Sequence, residues 1–295
     1  MAIAEDVPIT LETLESLFQF VEGESNLASL SKEMTDLLSE MEGNMTDLER
    51  SQAGATTNSK LSSSGDALNL LRDLVETISL DANQSSSLDL TDEISQALKN
   101  NLGNENDLVR GLGLVKTILE QREISGVPKN LKDLLMNKSG EMEKELAGQQ
   151  ISNVMSRLSE DSNVNFYYLS FPLKIDDQYS LAEIKISKDK GKKSLADMDN
   201  IKLVVSLDTS KLGLVLFHVE WHKDTSLKIE GLVEKEIALE YMEGNVNKLI
   251  EDLESRDYLV DYRGIKVSTN GREDMRLKLE EKDEVVGTFE IDIWV

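Results

Sequence analysis

His218 and His222 are the two histidines of this 295-residue chain, and their four-residue spacing would offer both to one zinc ion from a single helical turn. The surrounding segment LGLVLFHVEWH alternates, however, so both imidazoles belong to the strand face opposite Trp221. No third histidine and no cysteine exists to complete the site. Asp197 and Asp199 could begin a calcium loop, but the glycine and closing glutamate of such a loop are missing. Gly111-Leu-Gly113 lacks the third glycine of a dinucleotide loop and the lysine and serine of a P-loop. The strained G-x-S-x-G elbow of a serine hydrolase is absent as well. Carboxylates are plentiful because there are 56 Asp and Glu, and without a pocket no pair stands out as acid and base. The expectation is a protein that is not an enzyme and that uses no metal and no cofactor.

Charge narrows the partners. The 56 acidic side chains outweigh 32 Lys and Arg, for a net charge of −24. Nucleic-acid affinity rests on cations neutralising phosphates, so DNA and RNA are excluded, and anionic membrane surfaces are disfavoured by the same sign. The acidity serves solubility or a basic protein partner. With no cysteine, neither a disulfide framework nor a thiolate nucleophile is available. No apolar run approaches the roughly 18 residues of a membrane-spanning helix. Residues 1–10 lack the basic start and apolar centre of a signal peptide, so a cytoplasmic protein without membrane insertion is expected.

The elements that position these residues change character near residue 160. Of the six phenylalanines only Phe18 and Phe20 precede that point, and all six tyrosines and both tryptophans follow it. Aromatic and β-branched residues favour strands, whereas Leu, Glu, Lys, Met and Ala favour helices. The fold class expected is therefore α+β: a helical N-terminal half followed by a mixed β-sheet domain covered by one main helix. Residues 1–50 hold N-terminal helices, marked by Leu11, Leu14, Leu17, Phe18 and Val21, and by Leu27, Leu30, Met34, Leu37, Leu38 and Met41. Residues 51–65, SQAGATTNSKLSSSG, read as a flexible polar linker. Residues 66–160 form a further helical region with stripes at Ala67–Ile78, Leu90–Leu98 and Leu108–Leu119, a helix starting near Pro128, and a last helix over 140–158. Gly, Asn and Ser clusters interrupt any heptad register, which leaves a loose bundle or helices that order on a partner.

Residues 161–295 carry the strands. FYYLSFPLKI is an aromatic run with a proline suited to an edge strand or a strand start. LAEIKIS alternates Ala182, Ile184 and Ile186 against Leu181, Glu183, Lys185 and Ser187. Ile201–Leu207 and Leu212–Trp221 form a hairpin whose corner, Leu212-Gly213, uses glycine for a backbone without a side chain or for a bulge. A third strand spans Leu227–Val233. An amphipathic helix over 235–255 presents Leu239, Met242, Val246, Leu249, Ile250 and Leu253, and a closing strand runs from Tyr258 to Val267. Arg276–Glu281 and Val285–Val295 read as two further strands.

This order of elements resembles the C-terminal domain of the flagellar hook-length control family. The likeness covers roughly residues 164–267 and rests on FYYLSFPLKI, LAEIKIS, the corner in IKLVVSLDTSKLGLVLFHVEW, and the helix and strand in LIEDLESRDYLVDYRGIKV. KELAGQQISNVMSRL is similar to the helix that introduces such domains. The first half departs from the family, whose length-measuring segments are extended and rich in proline, whereas this chain has three prolines.

The resemblance implies recognition rather than catalysis. The domain would bind the cytoplasmic domain of the flagellar type III export gate and help switch export from hook to filament proteins, with hook or hook-cap proteins as further partners. It also implies export through the flagellar apparatus without a cleaved signal peptide. Val205, Leu207, Leu212, Gly213 and Leu214, around the corner, are the candidate partner-binding residues. The other reading is a cytoplasmic adaptor or scaffold that has borrowed such a domain.

Overall fold

A computed structural model describes residues 11–22, 26–44, 64–81, 108–117, 119–120, 128–158, 164–175, 178–189, 200–222, 225–273 and 275. The linker, the Leu90–Leu98 stripe, Asp197 and Asp199, and the two strands expected beyond residue 275 lie outside those residues, apart from the linker's last two positions, Ser64 and Gly65. The fold is α+β, with helices first and the sheet after them. Its compact units are Met1–Ile151 with Phe171–Ser180, and Ser152–Ser170 with Leu181–Val295. The division runs through helix Lys129–Leu158 and through strands Val164–Ile175 and Gln178–Asp189.

In the first unit, helices α1 (Leu11–Glu22), α2 (Leu27–Asn44), α3 (Ser64–Ile78) and α4 (108–117) each follow an apolar stripe legible in the sequence. Asn26 starts α2: its Oδ1 accepts the Ser29 N–H at 2.8 Å and its carbonyl accepts the Leu30 N–H, as an N-cap should. Leu30, Met34 and Met41 of α2, Leu71 and Val75 of α3, and Leu112 and Val115 of α4 are all buried. Strand β1 is two residues, Leu80–Asp81, and pairs in parallel with Leu173 and Lys174.

Helix α5 runs unbroken from Lys129 to Leu158, where the sequence suggested two helices. The expected start of the last helix, residue 140, falls inside it, next to Ser139. Ser139 is buried and donates its hydroxyl to the Leu135 carbonyl at 2.8 Å, so the serine satisfies itself within the helix instead of ending it. Pro128 sits just before the first turn, its carbonyl accepting the Leu131 and Lys132 N–H groups. Across α5, Lys138 bonds Glu33 and Glu141, each at 2.9 Å, and these bonds raise the lysine pKa and lower that of Glu33. Gly148 lets α1 approach closely. A Cβ there would overlap the Ser16 carbonyl oxygen and come within 2.5 Å of the Phe20 Cβ.

The sheet continues through strands β2 (Val164–Ile175), β3 (Gln178–Asp189), β4 (Asn200–Thr209), β5 (Gly213–His222), β6 (Ser226–Val233) and β7 (Leu259–Val267), ordered as in the chain, and the second unit holds β4 to β7 with β2 as far as Ser170 and β3 from Leu181. Strands β3 to β6 pair antiparallel. β7 then pairs parallel to β6, which requires the crossover that helix α6 (Glu236–Glu254) provides. One sheet face packs on α6 through Val215, Val233, Ala238 and Ile265, joined by Leu212, Phe217, Leu239, Met242 and Tyr262. The opposite face buries Val204, Leu214 and Leu216 beneath Met275, with Leu232 alongside. Fully burying a side chain such as Leu216 is worth about 1.5–3 kcal/mol.

The free side of β2 is closed by helix side chains. Asn153 Oδ1 accepts the Tyr168 N–H and its Nδ2 donates to the Tyr168 carbonyl, both at 2.7 Å, while Ser156 Oγ accepts the Phe166 N–H at 2.7 Å. One asparagine amide thus imitates a neighbouring strand. Unpaired strand edges template association with other chains, and this arrangement removes part of that hazard.

Candidate functional site

The corner is a three-residue connection, Ser210 to Leu212, between paired residues Thr209 and Gly213. Thr209 Oγ1 accepts the Leu212 N–H at 3.0 Å, and Gly213 takes φ +74°, the left-handed value that follows a turn of this length. Both readings of the glycine therefore meet in one residue: it turns the chain and it leaves space. A Cβ on Gly213 would lie 2.6 Å from Glu234 Oε2.

Glu234 occupies that space for a reason. It follows the last paired residue of β6, Val233, and its N–H donates to the Leu214 carbonyl at 2.9 Å. Its carboxylate folds back to accept the Leu214 N–H at 2.8 Å, so one residue satisfies both backbone groups of Leu214. Arg272, in the helical turn after β7, donates to the same Oε2 at 3.0 Å. Its guanidinium also forks onto Asp208 of β4, at 2.8 and 2.9 Å. Asp208 pairs directly with Leu214, so one arginine ties the strands on both sides of the corner residue. The Leu214 N–H, and after it Arg272, hold the Glu234 carboxyl below the usual carboxylate range, against the opposing effect of burial.

The five candidate contact residues do not form one surface. Val205 pairs with Phe217 and Ile184, and Leu207 with Val215 and Ala182, which places both on the sheet face that bears α6. Leu212 packs into the α6 cluster as well. Leu214 is on the other face, 3% exposed under Met275, and is core. Val205, Leu207 and Leu212 remain half-buried, and Ser210 and Lys211 at the tip are exposed.

Sequence reasoning missed the clamp itself. Asp208 and Arg272 are 64 residues apart and Glu234 and Arg272 are 38 apart. Nothing in the local pattern distinguishes these three charges from the many others; only the pairing of β4, β5 and β6 brings them together.

Other polar groupings lie along the strands. Glu183 accepts the Tyr168 hydroxyl and, at 2.7 Å, the hydroxyl of Ser206, which is 1% exposed. The Lys185 ammonium lies 5.6 Å from the centre of the Phe166 ring, within cation–π range. His218 stands between Val204 and Glu230 in the ladder, and His222 opposite Asn200. Among the described residues no group of three or more His, Cys, Asp or Glu could hold a metal ion, and no helix is long and apolar enough to cross a membrane. No family model, no curated protein and no solved structure matches the chain.

Proposed function

We propose that this chain is a non-enzymatic recognition protein of the hook-length control type. Its sheet domain engages the cytoplasmic domain of the flagellar type III export gate and helps switch export from hook to filament proteins. The observation that supports this reading is the corner: a hairpin turned at Leu212-Gly213, fixed across three strands by Arg272, and followed by the strand, helix and parallel strand on which the resemblance rests. A switch needs unequal affinity for two states of the gate, since a ligand binding both equally shifts nothing. A corner held by charge-assisted bonds is suited to that, because its exposed tip keeps one shape.

Affinity capture of the purified gate domain by the full chain tests the proposal, with Lys211→Glu and Leu212→Asp as variants. Lys211 is exposed, so its charge reversal leaves the core alone. Circular dichroism verifies the fold of the Leu212 variant. Loss of capture in either folded variant supports the proposal. Absence of capture by the unaltered chain sinks it, as does capture unchanged in both variants for the corner's part in it.

A further inference from the structure

Helix α6 covers the sheet with one side, and its other side carries apolar groups in an ordered row. Ile237 is 60% exposed, Tyr241 58% and Leu249 44%. With Asn245 they form the i, i+4, i+8, i+12 series, a single ridge of about 18 Å at 1.5 Å per residue. Isolated exposed apolar side chains are ordinary, but an aligned row along a helix is the form in which a helix meets another.

The neighbouring ridge is Glu236, Glu240, Gly244, Lys248 and Asp252. Gly244 interrupts it at mid-helix, where glycine costs about 1 kcal/mol relative to alanine. Its own fold does not require it. The backbone is outside the left-handed region, and a Cβ would meet nothing within 4 Å. A mid-helix glycine that costs stability and spares no clash with the described residues leaves room for a close approach from outside.

We propose that the outer face of α6 is a docking site for a basic amphipathic helix of a partner protein, crossing at Gly244 between the Ile237–Tyr241–Leu249 row and the flanking carboxylates. Charge selects this occupant. The helix carries Glu236, Glu240, Glu243, Glu251, Asp252 and Glu254 against the one cation Lys248, within a chain of net charge −24. A second copy of this chain would bring like charge to the same face, and an anionic membrane would be repelled. Apolar side chains of the partner would cover Ile237, Tyr241 and Leu249, and its Lys or Arg side chains would reach the carboxylates. The site rests on the reading of this domain as a recognition module and adds where a partner binds and what its chemistry is.

The probe is a synthetic amphipathic helix of about five turns with a Leu-Ala stripe flanked by lysines, compared with the same peptide carrying glutamates in place of the lysines. Titrated into the full-length protein, the lysine peptide is expected to bind and to perturb the amides of Ile237, Tyr241 and Leu249, and the glutamate peptide is not. Gly244→Ala should favour folding by about fivefold through helix propensity. The same change should weaken the lysine peptide by about tenfold, as a methyl group inserted into a packed contact does. Opposite signs for stability and binding support the proposal. A stability gain with unchanged affinity overturns it, as does a footprint away from α6 or equal binding of both peptides. A dimer in sedimentation that Gly244→Leu converts to monomer would also overturn it, in favour of a second copy. Failure to capture the export gate while the lysine peptide still maps to α6 would reject the proposed function and leave this site standing.

Discussion

Replacing Glu234 separates the two things its carboxylate does. In Glu234→Gln an oxygen remains for the Leu214 N–H, now as a neutral bond, and Arg272 keeps its fork on Asp208. The loss is the difference between a charge-assisted and a neutral hydrogen bond together with a part-exposed ion pair, about 1–1.5 kcal/mol in all. In Glu234→Ala the N–H of Leu214, a residue 3% exposed, loses its acceptor, and the cost rises to about 2–4 kcal/mol. Acidification should reproduce the smaller change. Because the carboxyl titrates below its ordinary value in the folded state, its contribution is complete above the unfolded carboxylate range near 4.3 and vanishes as pH falls through the folded value. Unaltered protein and the Gln variant should therefore differ at neutral pH and converge only as pH falls below the lowered folded value of the Glu234 carboxyl. Urea unfolding followed by tryptophan fluorescence measures the stabilities, and amide exchange at Leu214 reads the local bond. Equal losses in the Gln and Ala variants would refute the acceptor role. A Gln difference that persists undiminished at acidic pH would refute the electrostatic one.

Three further changes probe the frame around the corner. Gly213→Ala must adopt φ +74° with a side chain and push against Glu234 Oε2, so it should cost about 2 kcal/mol or more by denaturation. Asn153→Ala removes both partners of the Tyr168 backbone; a loss of about 2 kcal/mol is expected, with Asn153→Asp intermediate because it keeps the acceptor. Light scattering should then show whether the opened edge of β2 associates. Gly148→Ala gains helix propensity but collides with the Ser16 carbonyl, so overpacking of about 1–3 kcal/mol should win and lower the thermal midpoint.

What the sequence reveals follows from the range of the interactions. The stripes of α1 to α4 and the alternation of β3 to β6 are local, and they read correctly. The α6 stripe reads correctly in position but not in depth: Ala238 and Val246 are buried while Leu249 remains 44% exposed. Periodicity locates a face, whereas the width of the sheet beneath decides how much of it is covered. The sequence suggests two helices over 128–158, whereas α5 is continuous, with Ser139 bonded back to the Leu135 carbonyl at the expected junction. At the corner Gly213 announced itself, since its φ is a local necessity. Leu214 looked like its equal as a contact residue, but strand alternation turns it to the opposite face under Met275. The Asp208–Glu234–Arg272 clamp and the Asn153 amide on β2 are set by long-range register, which no window of sequence contains.

The helical unit incorporates residues 171–180, which follow the end of its α5 segment at Ile151 by some twenty positions. This has a consequence for synthesis. A nascent chain that has emerged only as far as Ile151 lacks the strand residues Leu173 and Lys174 that pair with β1. At about 5–20 residues per second, the ribosome needs roughly 1.5 to 6 s to add the residues between Ile151 and Ser180. Through that interval the helices wait incomplete, exposing to the surroundings of the ribosome the surface that the later strand residues will cover.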